Sequence, residues 1–122
     1  MRMTLWLIAY GWVIVTGSMH FMVDVVSQYV RGVRSPGTES TYYYGMNTAF
    51  ALGEVLFGLF GLILCLKAPQ LAAEWPAVTL AIAAALAWLA FSFMFLPYRE
   101  PKIISFIFAL LVIAAAVKSL AL

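Results

Sequence analysis

Charge is the first thing this chain lacks. Only 10% of its 122 residues are Asp, Glu, Lys or Arg, where a soluble domain carries about 25%. So few charges cannot cover a surface facing water, which excludes an ordinary soluble domain. Cysteine and histidine each occur once, as Cys65 and His20. A single cysteine excludes an internal disulfide and a Cys-x-x-Cys redox or zinc motif. A single histidine leaves the two-histidine, one-carboxylate iron arrangement incomplete, and a bis-histidine haem would need a second chain. His20, Asp24 and Glu54 could offer three ligands, but no metal and no cofactor is expected. Ser18 and Ser27 flank His20 without forming a nucleophile–histidine–acid arrangement. The net charge is only +2 and the seven basic residues form no cluster, so nucleic-acid binding has no support.

Apolar sequence is what remains. The chain is 66% hydrophobic, with a mean hydropathy of +1.02. A membrane helix needs about 20 apolar residues, and four such runs use up the length. The expected fold is all-α, an integral membrane four-helix bundle of mostly up-down topology, with residues 1–122 forming a single membrane domain. The spans are expected at about 4–29, 43–66, 77–96 and 103–121. Pro36-Gly37 marks the turn after span 1, Lys67 and Pro69 close span 2, and Pro97 to Lys102 forms a polar turn before span 4. Met1-Arg2 ahead of an apolar run resembles a signal peptide. The run is too long, is interrupted by His20 and Asp24, and lacks a small-residue cleavage site, so it reads as a retained span. Arg31, Arg34, Arg99 and Lys102 fall on one side, and Arg2, Lys67 and Lys118 on the other. That slight imbalance places both termini outside.

Polarity inside the spans is concentrated in Gly17 to Gln28, which holds His20 and Asp24. An ionisable residue at bilayer depth is a functional-site hypothesis by default. At 100° per residue, Trp6, Val13, Thr16, Gly17, His20, Asp24, Ser27 and Arg31 share one stripe of span 1, with Tyr10 and Gln28 at its edge. Ile8, Val15, Met19, Met22, Val26 and Tyr29 lie opposite and should meet lipid. Tyr43, Asn47, Phe50, Ala51, Glu54, Gly58, Gly61 and Cys65 form a matching stripe on span 2, where the glycines admit a close neighbour. Counted from the short 1–2 loop, His20 lies roughly 15 Å deep and Glu54 roughly 16 Å. The spacing therefore sets His20 facing Glu54, with Asp24 and Asn47 on the path to the loop. Desolvation and a neighbouring opposite charge act in opposite directions on such a pair, so the proton can reside on either group.

Each group also has a bland reading. His20 and Glu54 could form a simple interhelical clamp, worth about 0.6 kcal/mol on average. That poorly offsets a cost of about 2.5 kcal/mol or more for a mid-span charge. Asp24 could pair with Arg31 or Arg34 at the interface, and Asn47 could be packing glue. Tyr42, Tyr43 and Tyr44 suit the headgroup belt. Span 3 is alanine-rich and reads as close-packing, with Trp88 either packing or lining a pocket. Span 4 is apolar almost all round and is expected to face lipid along much of its length. Cys65 reads as a small span-end residue.

The length, the early glycine-and-histidine first span (GSMHF) and the glycine-rich second span opening after aromatics (YYYGMNTAFALGE) resemble the small four-helix bacterial membrane proteins grouped as DoxX-like. The resemblance implies a bacterial inner-membrane setting and, for some members, association with membrane redox complexes or quinones. It transfers no site residue.

The residues themselves point to a polar pocket between spans 1 and 2 for a small lipophilic molecule with a polar head. His20 and Glu54 would exchange a proton with that head, in isomerase-like acid–base chemistry, and Asp24 would orient it or relay protons. Tyr10, Tyr43, Trp6 and Trp12 are candidate walls, with Asn47 nearby. Two rivals stand beside this reading. One is a non-catalytic subunit of a larger membrane complex. The other is a proton-coupled exporter working as a homodimer, with Glu54 as the shared carboxyl.

Overall fold

The computed structural model describes residues 2–120. Among them every regular element is helical: α1 (Arg2–Phe21), a π-helical turn (Met22–Val26), α2 (Ser27–Arg31), α3 (Thr38–Lys67), the short α4 (Pro69–Ala72), α5 (Trp75–Phe95) and α6 (Arg99–Leu120). α1, the π turn and α2 run on as one rod, so four helices are long and apolar enough to cross a membrane: Met3–Arg31, Thr38–Lys67, Trp75–Phe95 and Arg99–Leu120. Residue 121, the expected end of span 4, lies outside the described residues.

The breaks follow local chemistry. Gly32 adopts φ +62°, a left-handed backbone that favours glycine. Its N–H donates to Tyr29 O, and the Val33 N–H reaches back to Gln28 O. This pair of bonds satisfies the last carbonyls of the first rod in a Schellman closure. α3 starts at Thr38 rather than Tyr43, with Glu39 in its first turn, where a carboxylate suits the helix dipole. The Ser40 and Thr41 hydroxyls both donate to Gly37 O, each at 2.9 Å. Pro76 sits in the first turn of α5, where a missing N–H is tolerated.

Small residues set the packing. On α3 the buried positions are Ala51, Glu54, Gly58, Gly61 and Cys65, a spacing of three and four. This stripe lies against α1 along its length. A Cβ on Gly58 would stand 2.9 Å from the Tyr10 carbonyl oxygen, and one on Gly61 would collide with the Tyr10 ring. α1 also packs on α6, and α6 on α5. α3 and α5 meet through rings, Phe50 on Phe91 at 5.1 Å and Phe57 on Trp88 at 5.4 Å. A chain of aromatics, Trp6–Tyr10–Phe57–Trp88–Phe108, runs through the centre. Trp88 is thus a packing residue.

α6 departs from expectation. It does not simply face lipid, because Ser105, Phe108, Ala109, Val112, Ala115 and Ala116 are buried between α1 and α5. An evenly apolar helix has no polar stripe to betray its inner face. The small side chains at Ala109, Ala115 and Ala116 decide it by allowing close approach. Hydrogen bonds from the first span tie it down: Trp6 Nε1–H donates to Ser119 Oγ at 2.9 Å and Trp12 Nε1–H to Ile104 O at 3.1 Å.

Candidate functional site

Beyond the Trp12–Ile104 bond, the first rod and α6 enclose a groove of about 590 Å³, with α3 contributing to its wall. The first rod supplies Trp12, Val15, Thr16, Met19, His20, Val23 and Asp24. α3 adds Phe50 and Glu54, and the start of α6 with its preceding loop adds Tyr98, Glu100, Pro101, Ile104 and Ser105. The 1–2 and 3–4 loops lie at the same end of an up-down bundle. The groove therefore runs from mid-span, at Glu54, to that end, at Glu100. Val15, Met19 and Val23 are exposed on the lipid-facing side of the rod. The groove is flanked by the acyl region as well as by the polar end.

Glu54 is 5% exposed, and its carboxyl makes no hydrogen bond or ion pair with any described residue. Close helix contact explains its depth. A Cβ on Gly17 would lie 2.9 Å from Glu54 Cβ, so the α3 backbone sits hard against the first rod there. Burial of an unpaired carboxyl is costly unless something else occupies the space beside it.

His20 pairs within its own rod. Its Nδ1 lies 2.9 Å from Asp24 Oδ2, while its Nε2 is buried without a hydrogen-bond partner. The ring packs on Phe50 at 5.5 Å. Asp24 is in the π turn, where the Ser27 N–H reaches five residues back to Met22 O. Such a turn inserts one residue into the helical ladder, and π turns are frequent at functional sites. Val25 becomes the buried position there, and Asp24 stands four residues after His20 for the carboxylate to take the imidazole nitrogen.

The structure brings Trp12, His20, Asp24 and Glu54 to one groove and leaves the other candidates elsewhere. His20 bonds Asp24, and no contact of ion-pair length joins it to Glu54. The register is the reason. α3 starts five residues earlier than expected and the first rod ends two later, at Arg31. The net three residues shift the two helices by about 4.5 Å. Glu54 comes level with Gly17, and His20 with Phe50.

Trp6, on the stripe of His20, and Tyr10, at its edge, do not line the groove. They lie at the opposite end of the rod, where α3 and α6 close tightly, and are 0% and 3% exposed. Tyr10 instead borders a smaller apolar hollow of about 280 Å³ between α3 and α5. Tyr43 and Asn47 lie at the loop end of α3. Asn47 Nδ2–H donates to Tyr43 O one turn back, and the Tyr43 hydroxyl meets Gln28 Nε2 at 3.2 Å. Arg34 lies 3.4 Å over the Tyr43 ring and Arg31 bonds Ser27. Neither reaches Asp24 as an ion pair.

Thr16 and Phe50 lay on the projected stripes and could have been chosen from them. Tyr98 and Glu100, in the turn before span 4, and Ile104 and Ser105, within it, carried no signal that singled them out. Among the described residues no three His, Cys, Asp or Glu side chains converge as metal ligands. The chain matches no family model, no curated protein and no solved structure. The DoxX-like pattern thus stands on sequence features alone.

Proposed function

We propose that the groove holds a small lipophilic molecule by its polar head, with Glu54 and the His20–Asp24 pair handling a proton at that head. The observation that carries this reading is Glu54, 5% exposed and without a partner among the described residues, on a groove of about 590 Å³. That volume lies within the range of about 300–1,000 Å³ of small-molecule sites. The lining is mainly apolar, with few polar groups, as suits a membrane-soluble ligand. Exposed Val15, Met19 and Val23 offer a route from the acyl region. Asp24 orients the imidazole, and Glu54 supplies a second acid–base group from another helix.

Dicyclohexylcarbodiimide tests the reading, since it modifies protonated carboxyls in apolar surroundings. Labelling is expected at Glu54, with protection by a lipophilic occupant such as a short-chain quinone. Native mass spectrometry of protein in nanodiscs should also show a co-purified small molecule that is lost in Glu54→Gln and His20→Ala. An unreactive Glu54 together with an empty wild-type protein overturns the proposal.

One observation favours a partner in the membrane. Gly45, Ala49 and Gly53 form an exposed small-residue ridge on α3, and nothing lies within 4 Å of a Cβ at either glycine. Lipid-facing ridges of this spacing admit a second helix. A homodimer or larger complex using this face predicts that Gly53→Leu shifts the oligomeric state in nanodiscs. An unchanged state overturns it.

A further inference from the structure

The ionisable groups lining the groove are mostly acidic. Among the described residues Asp24, Glu54 and Glu100 supply carboxyl groups, His20 is the only basic group, and no Lys or Arg lines the wall. The nearby cations are held elsewhere. Arg31 bonds Ser27, Arg34 covers Tyr43, and Lys102 lies over the Phe93 ring at 5.6 Å, towards α5. Arg99 neighbours Glu100 in sequence but does not line the groove. The walls also carry Trp12, Phe50 and Tyr98, whose ring faces attract cations. Glu100 has a bland role too, as a first-turn acid on the α6 dipole. Glu54 has none: it is mid-helix, 5% exposed and without a partner.

We infer that the ligand of this groove is a lipophilic cation, its charge seated between Glu54 and the aromatic walls and its apolar body along Val15, Met19 and Ile104. The inference builds on the proposed ligand groove and names the ligand's class. A neutral head would offer Glu54 no counter-charge once its proton leaves, and an anionic head would meet the carboxyl groups of the lining in a poorly screened setting. A cation relieves both at once. Glu100, at the polar end, attracts the cation first, and Glu54 holds it at depth.

Tetraphenylphosphonium and its anionic isostere tetraphenylborate are the probes, titrated into protein in nanodiscs with empty nanodiscs subtracted. Saturable tetraphenylphosphonium binding is expected, without saturable binding of the borate. Glu54→Gln should weaken it about tenfold or more, the scale of one contact to a buried charge. Glu54→Asp should keep most of the affinity. Glu100→Gln, at an exposed position that leaves folding intact, should weaken binding a few-fold by removing a partly screened charge. Saturable borate binding of equal strength, or unchanged phosphonium affinity in both glutamine variants, overturns the inference. Carbodiimide labelling of Glu54 separates the two layers of the argument. Protection by a neutral short-chain quinone but not by tetraphenylphosphonium overturns the cation and leaves the ligand groove standing. Protection by neither, with Glu54 unreactive throughout, overturns both.

Discussion

Gly17 on the first rod lies directly against Glu54 on α3, so that a Cβ added at Gly17 would stand 2.9 Å from Glu54 Cβ. The same added atom would lie 3.1 Å from Val55 Cγ2 and 3.4 Å from Ala51 O. This contact places a carboxyl beside the groove, and it leaves no room for even a methyl group without movement. Gly17→Ala should therefore destabilise the bundle by about 1–3 kcal/mol, the usual cost of overpacking. Gly11→Ala is the control, because nothing lies within 4 Å of its added Cβ. Unfolding in mixed micelles, followed by circular dichroism, should separate the two variants. Equal stability would show that the helices are not packed as described.

The His20–Asp24 bond makes a prediction about the imidazole tautomer. At 2.9 Å from Asp24 Oδ2, Nδ1 is placed to donate. Nitrogen NMR of labelled His20 should show the Nδ1–H tautomer predominating in the neutral ring. Asp24→Ala should give a mixture of tautomers with more Nε2–H. A wild-type ring already protonated at Nε2 would refute the pairing.

Trp12 clamps the first rod to α6 where the groove begins, through Nε1–H to Ile104 O at 3.1 Å. Trp12→Phe keeps an aromatic ring but loses the donor and part of the indole. The expected loss exceeds the roughly 0.6 kcal/mol of an interhelical hydrogen bond in a membrane, because lost packing adds to it. Because Trp12 also lines the groove, ligand protection of Glu54 from carbodiimide should weaken at the same time. A change in stability without any change in protection would confine Trp12 to packing.

Ser92 and Ser105 share a buried bond of 3.0 Å between α5 and α6. Removing either hydroxyl strands the other, so each single alanine variant should cost more than half of the double variant's loss. A double-mutant cycle should return coupling of about 0.6 kcal/mol. Strict additivity would mean that the two hydroxyls do not depend on each other.

Much of the plan was legible because hydropathy and period are local properties. The α3 stripe of Ala51, Glu54, Gly58, Gly61 and Cys65 appeared in projection as it does in burial. Ile8, Val15, Met19 and Met22 are exposed on the face read as lipid-facing. The groove was only half legible. Trp12, His20, Asp24 and Glu54 were chosen with Trp6, on the same stripe as His20, and Tyr10, at its edge, but these two stand where α3 and α6 each close tightly on the first rod. A helical projection gives the direction of a side chain and says nothing about how far away the neighbouring helix lies. The π turn was invisible as well, since a five-residue hydrogen bond at Met22–Ser27 is a property of the backbone ladder.

Composition and periodicity alone determined that this chain forms four apolar helices, with His20, Asp24 and Glu54 carried on the first two spans. Burying so many apolar residues and so few charges leaves little alternative to a membrane bundle. Tertiary structure decided which polar groups meet. The register between the first rod and α3 set Glu54 against Gly17 and left His20 to Asp24. The packing of α6 brought Tyr98, Glu100 and Ser105 to the same groove. Those outcomes depend on contacts between helices distant in sequence, where a shift of a few ångströms changes every partner.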